Sequence, residues 1–143
     1  MQVKIKKLVP EAVVPKYAKI GDAALDVVAV SKKIDEFGNI MYGTGLAFEI
    51  PQGFVCLLFP RSSVTKYDLV MANSVGVLDS GFRGELVIKF KKMPNEEKRI
   101  VDFNIGDRIA QIIILPYPQI EFIESDHLED SERGSNAFGS TGQ

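Results

Sequence analysis

Apolar and polar residues alternate in several short stretches of this chain, and glycine, proline and asparagine punctuate them. Val3 and Ile5 alternate with lysines, which predicts a short amphipathic strand. Pro10 and Pro15 then interrupt any regular element. Residues 25–30 read as strand and Gly38-Asn39 as a turn. Over 40–50, Leu46, Phe48 and Ile50 fall on one face of a half-buried strand. Pro51-Gln52-Gly53 turns the chain into the apolar run 54–59. Residues 62–68 hold the one plausible helix, a short one. Residues 68–72 and 86–90 read as strands on either side of a turn-rich segment with Gly76, Gly81 and Gly84, which predicts a hairpin. Asn104-Ile105-Gly106-Asp107 is a turn before the long apolar strand 109–115, and 120–123 is expected to be the last core strand.

Many short strands with turn signals between them argue an all-β sandwich or barrel. A chain of 143 residues is long enough for one domain with a real core. The composition changes after Asp126. Residues 129–143 carry only Ala137 and Phe138 as apolar side chains, so this tail cannot fold alone. The expected organisation is a body over 1–128 and an arm over 129–143.

Charge narrows the possible partners. The net charge is −2 with no basic block, which disfavours nucleic acid. No apolar run approaches membrane-spanning length, and the N-terminal residues lack the apolar core of a signal peptide. A single cysteine, Cys56, cannot form an intrachain disulfide and sits in an apolar run, where it reads as a buried small hydrophobe. A cytoplasmic protein is expected. His127 is the only histidine and there is no cysteine cluster, which argues against zinc.

Several polar residues stand where they need an explanation. Asn73 and Asp79 lie in the turn-rich segment 72–85, and either cap turns or face a ligand. Asp26 begins an apolar strand, so it needs a partner or a cation, or else it caps the preceding loop. Arg61, Ser62 and Ser63 follow the buried run and open the short helix. A guanidinium, two hydroxyls and free N–H groups make an anion site, and a serine there also suits an N-cap. Gln111 is an amide inside an apolar strand and needs hydrogen bonds, unless it faces solvent. Phe82 is a core aromatic or a ligand platform. Arg83 and Glu85 are candidates for a structural salt bridge.

Five segments, in order, resemble the motifs of the homotrimeric dUTPases. They are Gly21-Asp22-Ala23-Ala24-Leu25-Asp26-Val27-Val28-Ala29, Pro60-Arg61-Ser62-Ser63, Gly76-Val77-Leu78-Asp79-Ser80-Gly81-Phe82-Arg83-Gly84-Glu85, Gly106-Asp107-Arg108-Ile109-Ala110-Gln111, and Arg133-Gly134-Ser135-Asn136-Ala137-Phe138-Gly139-Ser140-Thr141-Gly142. The chain departs from the usual pattern at Ala24 and Val27, at Phe82 where tyrosine is common, and at Asn136 and Ala137 where two glycines are usual.

The resemblance implies a jelly-roll-like β fold, a homotrimer with shared active sites, and Mg²⁺-dependent hydrolysis of dUTP to dUMP and pyrophosphate. It implies that Asp79 is the general base. Asn73, with Gly76 and Val77, would read uracil, since an amide offers both a donor and an acceptor. Phe82 would lie under the deoxyribose and leave no room for a 2′-hydroxyl. Arg61, Ser62, Ser63 and Gln111 would contact phosphates, and Asp26 would lie near Mg²⁺, held mostly by the triphosphate itself. In the arm, Arg133 would pair with the γ-phosphate, Ser140 and Thr141 would wrap phosphates, and Phe138 would stack on uracil. Asp107 and Arg108 would support the site from a turn and a strand edge. Two other functions fit the same chain: a dCTP deaminase or bifunctional enzyme of the same superfamily, and a nucleotide-switched regulatory protein with a surface loop over 30–41.

Overall fold

The computed structural model describes residues 1–94 and 102–135. Its regular structure is almost all strand. In chain order these are β1 (Lys4–Lys7), β2 (Leu25–Val28), β3 (Ser31–Ile34), β4 (Ile40–Gly43), β5 (Leu46–Glu49), β6 (Phe54–Pro60), β7 (Leu69–Met71), β8 (Gly76–Leu78), β9 (Val87–Lys92) and β10 (Arg108–Pro116). A 3-10 helix, Ser62–Lys66, follows β6. Among the described residues no helix is long and apolar enough to cross a membrane.

The strands form two four-stranded sheets, ordered β2-β10-β6-β8 and β3-β4-β9-β7, and a two-stranded sheet of β1 and β5. All pairings are antiparallel. Both four-stranded sheets send side chains into one core, including Val27, Leu58 and Ile112 from the first and Ile40, Ile88 and Phe90 from the second. β6 and β10 read as nearly continuous apolar runs because both are interior strands of their sheet. Cys56 on β6 is fully buried, and burial pushes its thiol pKa up to about 11. The Tyr42 hydroxyl donates to the Phe103 carbonyl and accepts from the Phe103 N–H, both at 3.1 Å. Burial raises that phenol's pKa to about 12.

Four expectations change on contact with the structure. The stretch 40–50 is two strands, because Gly45 takes a φ of +65° that ends β4 and starts β5 in another sheet. Buried Thr44 fixes the break by donating to the Leu86 carbonyl at 2.8 Å. The predicted hairpin is real in its flanks, since β7 pairs with β9. Its turn region is not a simple loop, because β8 crosses to the other sheet and pairs with β6. Residues 120–123 form no strand, and Ile120, Phe122 and Ile123 are 66, 90 and 87% exposed. Pro116 and Pro118 end β10 there, and the core of this chain is already filled by the strands before them. Residues 31–43 are not a loop but the β3–β4 hairpin. Asp35 builds its turn by accepting from the Phe37 and Asn39 N–H groups, the Asn39 side chain and Lys89.

Candidate functional site

Two cavities hold the polar residues singled out above. The first, of about 320 Å³, is lined by Leu58 of β6, Asn73, Gly76, Val77, Leu78 and Asp79 around β8, and Phe82, Glu85, Leu86 and Val87 beyond it. The crossing of β8 builds it: the chain leaves β7, turns at Ser74 with a φ of +59°, and lays β8 beside β6. Asn73, Gly76, Val77, Asp79 and Phe82 are thereby brought together.

Neither Asn73 nor Asp79 caps a turn with its side chain. The turns close through backbone bonds instead: Ser74 N–H to the Met71 carbonyl at 3.1 Å, and Phe82 N–H to the Asp79 carbonyl at 3.1 Å. The amide of Asn73 and the carboxylate of Asp79 make no hydrogen bond within the described residues, and both line the cavity. An exposed carboxylate beside an uncommitted amide is free to hold water and a heterocycle edge. Phe82 is 46% exposed, so it is no core aromatic. The Arg83–Glu85 salt bridge does not form. Arg83 Nη1 donates to the Ser80 and Phe82 carbonyls at 2.6 and 2.8 Å, and Glu85 Oε1 accepts from the Gly45 N–H at 2.8 Å. Each bonds to backbone because backbone groups of these turns need partners.

The second cavity, of about 390 Å³, is lined by Lys16, Ala18, Asp22, Ala23, Ala24, Asp26, Arg61, Arg108 and Gln111. Sheet register assembles it. Asp26 of β2 stands opposite Gln111 of β10, which stands opposite Phe59 of β6, so these side chains share one face. Arg61, just past the end of β6, donates from Nε to Asp26 Oδ1 at 2.7 Å. Arg108 Nη1 donates to Asp26 Oδ2 at 3.1 Å. Asp26 is therefore held between two guanidiniums and caps no loop; Asp22 does that, accepting from the Lys19 N–H at 2.8 Å. Gln111 donates to the Pro60 carbonyl at 3.0 Å and lines the cavity. Arg61 Nη1 donates to Ser63 Oγ at 3.2 Å and the Arg108 carbonyl at 3.4 Å. The 3-10 helix has no side-chain cap, so Ser62 and Ser63 do not act as N-caps. Neither serine lines the cavity; Ser63 meets it through Arg61.

Lys16 and Asp22 belong to the cavity and are not assigned to it by the sequence, whereas Arg108, expected to support the site from a strand edge, does so by holding Asp26. Arg108 had a signal, a cation opening an apolar strand, whereas Lys16 in its irregular loop had none. Asp107 is a turn residue, accepting from the Asn104 N–H at 2.7 Å. Arg133 lines neither cavity and lies in a turn where the Gly134 N–H meets the Ser131 carbonyl at 3.0 Å. Phe138, Ser140 and Thr141, with Asn136 and Ala137, lie outside the described residues.

Known proteins resemble this chain along its whole length. A family model described as dUTPase matches residues 10–142. A deoxyuridine 5′-triphosphate nucleotidohydrolase of Nautilia profundicola is 39% identical over 145 residues, covering 100% of both chains. One from Thermobifida fusca is 36% identical, covering 99% of this chain and 79% of the relative. Among solved structures, the dUTPase G164S mutant of Staphylococcus bacteriophage 80alpha with dUpNHpp superposes with a TM-score of 0.81 at 27% identity, covering 99% of each chain. With the motif residues gathered in two cavities on this β scaffold, the chain belongs to the dUTPase family.

Proposed function

We propose that this protein hydrolyses dUTP to dUMP and pyrophosphate. The observation that carries the reading is the first cavity, which Asn73, Asp79 and Phe82 line together and where neither Asn73 nor Asp79 has a side-chain hydrogen bond among the described residues. Asn73 presents a donor and an acceptor to the uracil edge, with Gly76 and Val77 beside it. Phe82 lies under the deoxyribose. Asp79 takes a proton from water, whose oxygen bonds to the α-phosphorus as the bond to the bridging oxygen breaks and pyrophosphate leaves. Positioned base catalysis is worth about 10² to 10⁴ in rate, so phosphate positioning and charge supply the rest.

The second cavity takes the phosphates, with Arg61 and Gln111 as donors in its wall and Ser62 and Ser63 reaching the phosphates from the adjoining 3-10 helix, joined by Arg133, Ser140 and Thr141 from the arm over 129–143. Phe138 of the arm covers uracil, by stacking worth about 1–3 kcal/mol. Mg²⁺ usually rests on one or two carboxylates plus substrate phosphates. Here Asp26 would lie near the ion without binding it directly, since both its oxygens are held by Arg61 and Arg108, and the triphosphate itself would supply most of the ligands. Bound there, the ion would neutralise charge on the phosphate oxygens.

We also propose a homotrimer of jelly-roll subunits in the cytoplasm. Its support is the sheet register. Leu58 pairs with Gly76 at the first cavity, while Phe59, one residue on, shares the opposite face with Gln111 at the second. Adjacent strand residues face opposite ways. No residue lines both cavities, and in such an assembly a single nucleotide would draw them from different copies.

The test is pyrophosphate release from dUTP, beside dCTP, dTTP and UTP, for the native protein and Asp79→Asn. Turnover of dUTP alone, lost in the variant while dUTP still binds, is the expected result. Ammonia release from dCTP would overturn the substrate, and undiminished turnover in the variant would overturn the base.

A further inference from the structure

The Phe82 ring rests on the backbone of Gly84, two residues along the chain. A methyl carbon placed on Gly84 would stand 2.6 Å from Cζ of that ring, 3.0 Å from Cε2 and 3.4 Å from Cε1. Carbon atoms do not approach to the shortest of these, so the ring must move. Backbone conformation is not the reason for glycine here, because the φ of Gly84 lies outside the left-handed region. The demand comes from the ring alone. Gly81, in the same turn, is the contrast: a methyl there would meet nothing within 4 Å.

The backbone that carries the ring is braced. Arg83 clamps the carbonyls of Ser80 and Phe82, and the Phe82 N–H holds the Asp79 carbonyl. Displacement must therefore fall on the side-chain torsions of Phe82. The ring is half exposed, so it has room to swing without the turn unfolding.

We propose that Gly84 is a specificity-positioning residue: its missing side chain sets the depth at which the Phe82 ring floors the nucleoside cavity. This rests on reading Phe82 as the surface beneath the deoxyribose. A ring displaced by a methyl tilts away from the sugar and admits a 2′-hydroxyl, which lowers the preference for dUTP over UTP.

The experiment compares kcat/KM for dUTP and UTP in the native protein, Gly84→Ala, Gly81→Ala and Phe82→Ala, with thermal melts of each. Misplacing a positioned group by about 1 Å costs on the order of 10²-fold, so Gly84→Ala is expected to lower the dUTP-to-UTP ratio by about tenfold or more. Gly81→Ala keeps the native ratio. An unchanged ratio in Gly84→Ala, where Phe82→Ala lowers it, overturns the inference and spares the sugar-floor reading. An unchanged ratio in Phe82→Ala overturns that reading, and the inference with it. Should Gly84→Ala fail to fold, the pair Phe82→Leu with Gly84→Ala decides, since leucine has none of the three obstructing carbons. Recovery of folding in the pair supports the steric account, and no recovery overturns it.

Discussion

Arg61→Lys separates the anchoring of a charge from its use. The guanidinium spends Nε on Asp26 and Nη1 on Ser63 and the Arg108 carbonyl. Its Nη2 makes no bond within the described residues, and the side chain lines the second cavity. Two of the three nitrogens are thus anchored while the third is available to an anion, a division that a single ammonium cannot reproduce. Lysine keeps the charge and must choose between Asp26 and the phosphates. The loss is then one charge-assisted hydrogen bond, about 1.5–3 kcal/mol, which lowers kcat/KM for dUTP by about 10- to 100-fold. Stability changes less. The Arg61 and Asp26 side chains are each 23% exposed, and such partly solvated pairs are worth about 1 kcal/mol or less. Steady-state pyrophosphate release and urea denaturation of the same preparations measure both quantities. An undiminished kcat/KM would refute the forked role. A loss of activity matched by an equal loss of stability would reduce Arg61 to a structural residue.

Two further predictions concern the scaffold. Asp35 accepts four hydrogen bonds at the β3–β4 turn, and the Asn39 side chain, followed by Lys89, holds its carboxyl well below the usual range. A depressed folded-state pKa gives stability that is present in full above the unfolded value, about 4, and is lost as pH falls through the folded one. Asp35→Asn is therefore expected to be less stable than the native protein at pH 7, with the gap narrowing in acid. A gap that widens in acid on urea titration would contradict the assignment. Tyr42→Phe strands the buried N–H of Phe103, whose carbonyl keeps a bond from Lys32 at 3.3 Å, and should cost about 1–3 kcal/mol in denaturant unfolding while leaving KM for dUTP unchanged.

Strands with a simple burial rule were legible in the chain. β6 and β10 lie inside their sheet and read as apolar runs, and β9 alternates because one face meets the core. What escaped was decided by contacts remote in sequence. The three residues of β8 carry too little pattern to announce a strand, and their partner is β6, about twenty positions earlier. The break at Gly45 hides in an apolar stretch, because both halves are buried against different neighbours. The site was legible by motif more than by geometry. Asp79 and Asn73 stood out as polar residues among turns, whereas only β-sheet register shows that Asp26 and Gln111 are side by side.

The misread segment 120–123 bears on assembly. Its apolar pattern predicts a core strand, yet Ile120, Phe122 and Ile123 are largely exposed, as is Leu128 at 90%. Burying a large apolar side chain is worth roughly 1.5–3 kcal/mol, so four left in water forgo roughly 6–12 kcal/mol, as much as a typical domain's whole stability. A pattern that predicts burial, on residues that their own chain does not bury, points to a surface outside the chain. The homotrimer proposed above makes the same demand. A single assembly of copies would satisfy both, covering the apolar segment of one subunit while joining the nucleoside cavity of one to the phosphate cavity of another. Folding and catalysis would then share one equilibrium. Diluting the protein until the copies separate should cost activity and thermal stability at the same concentration.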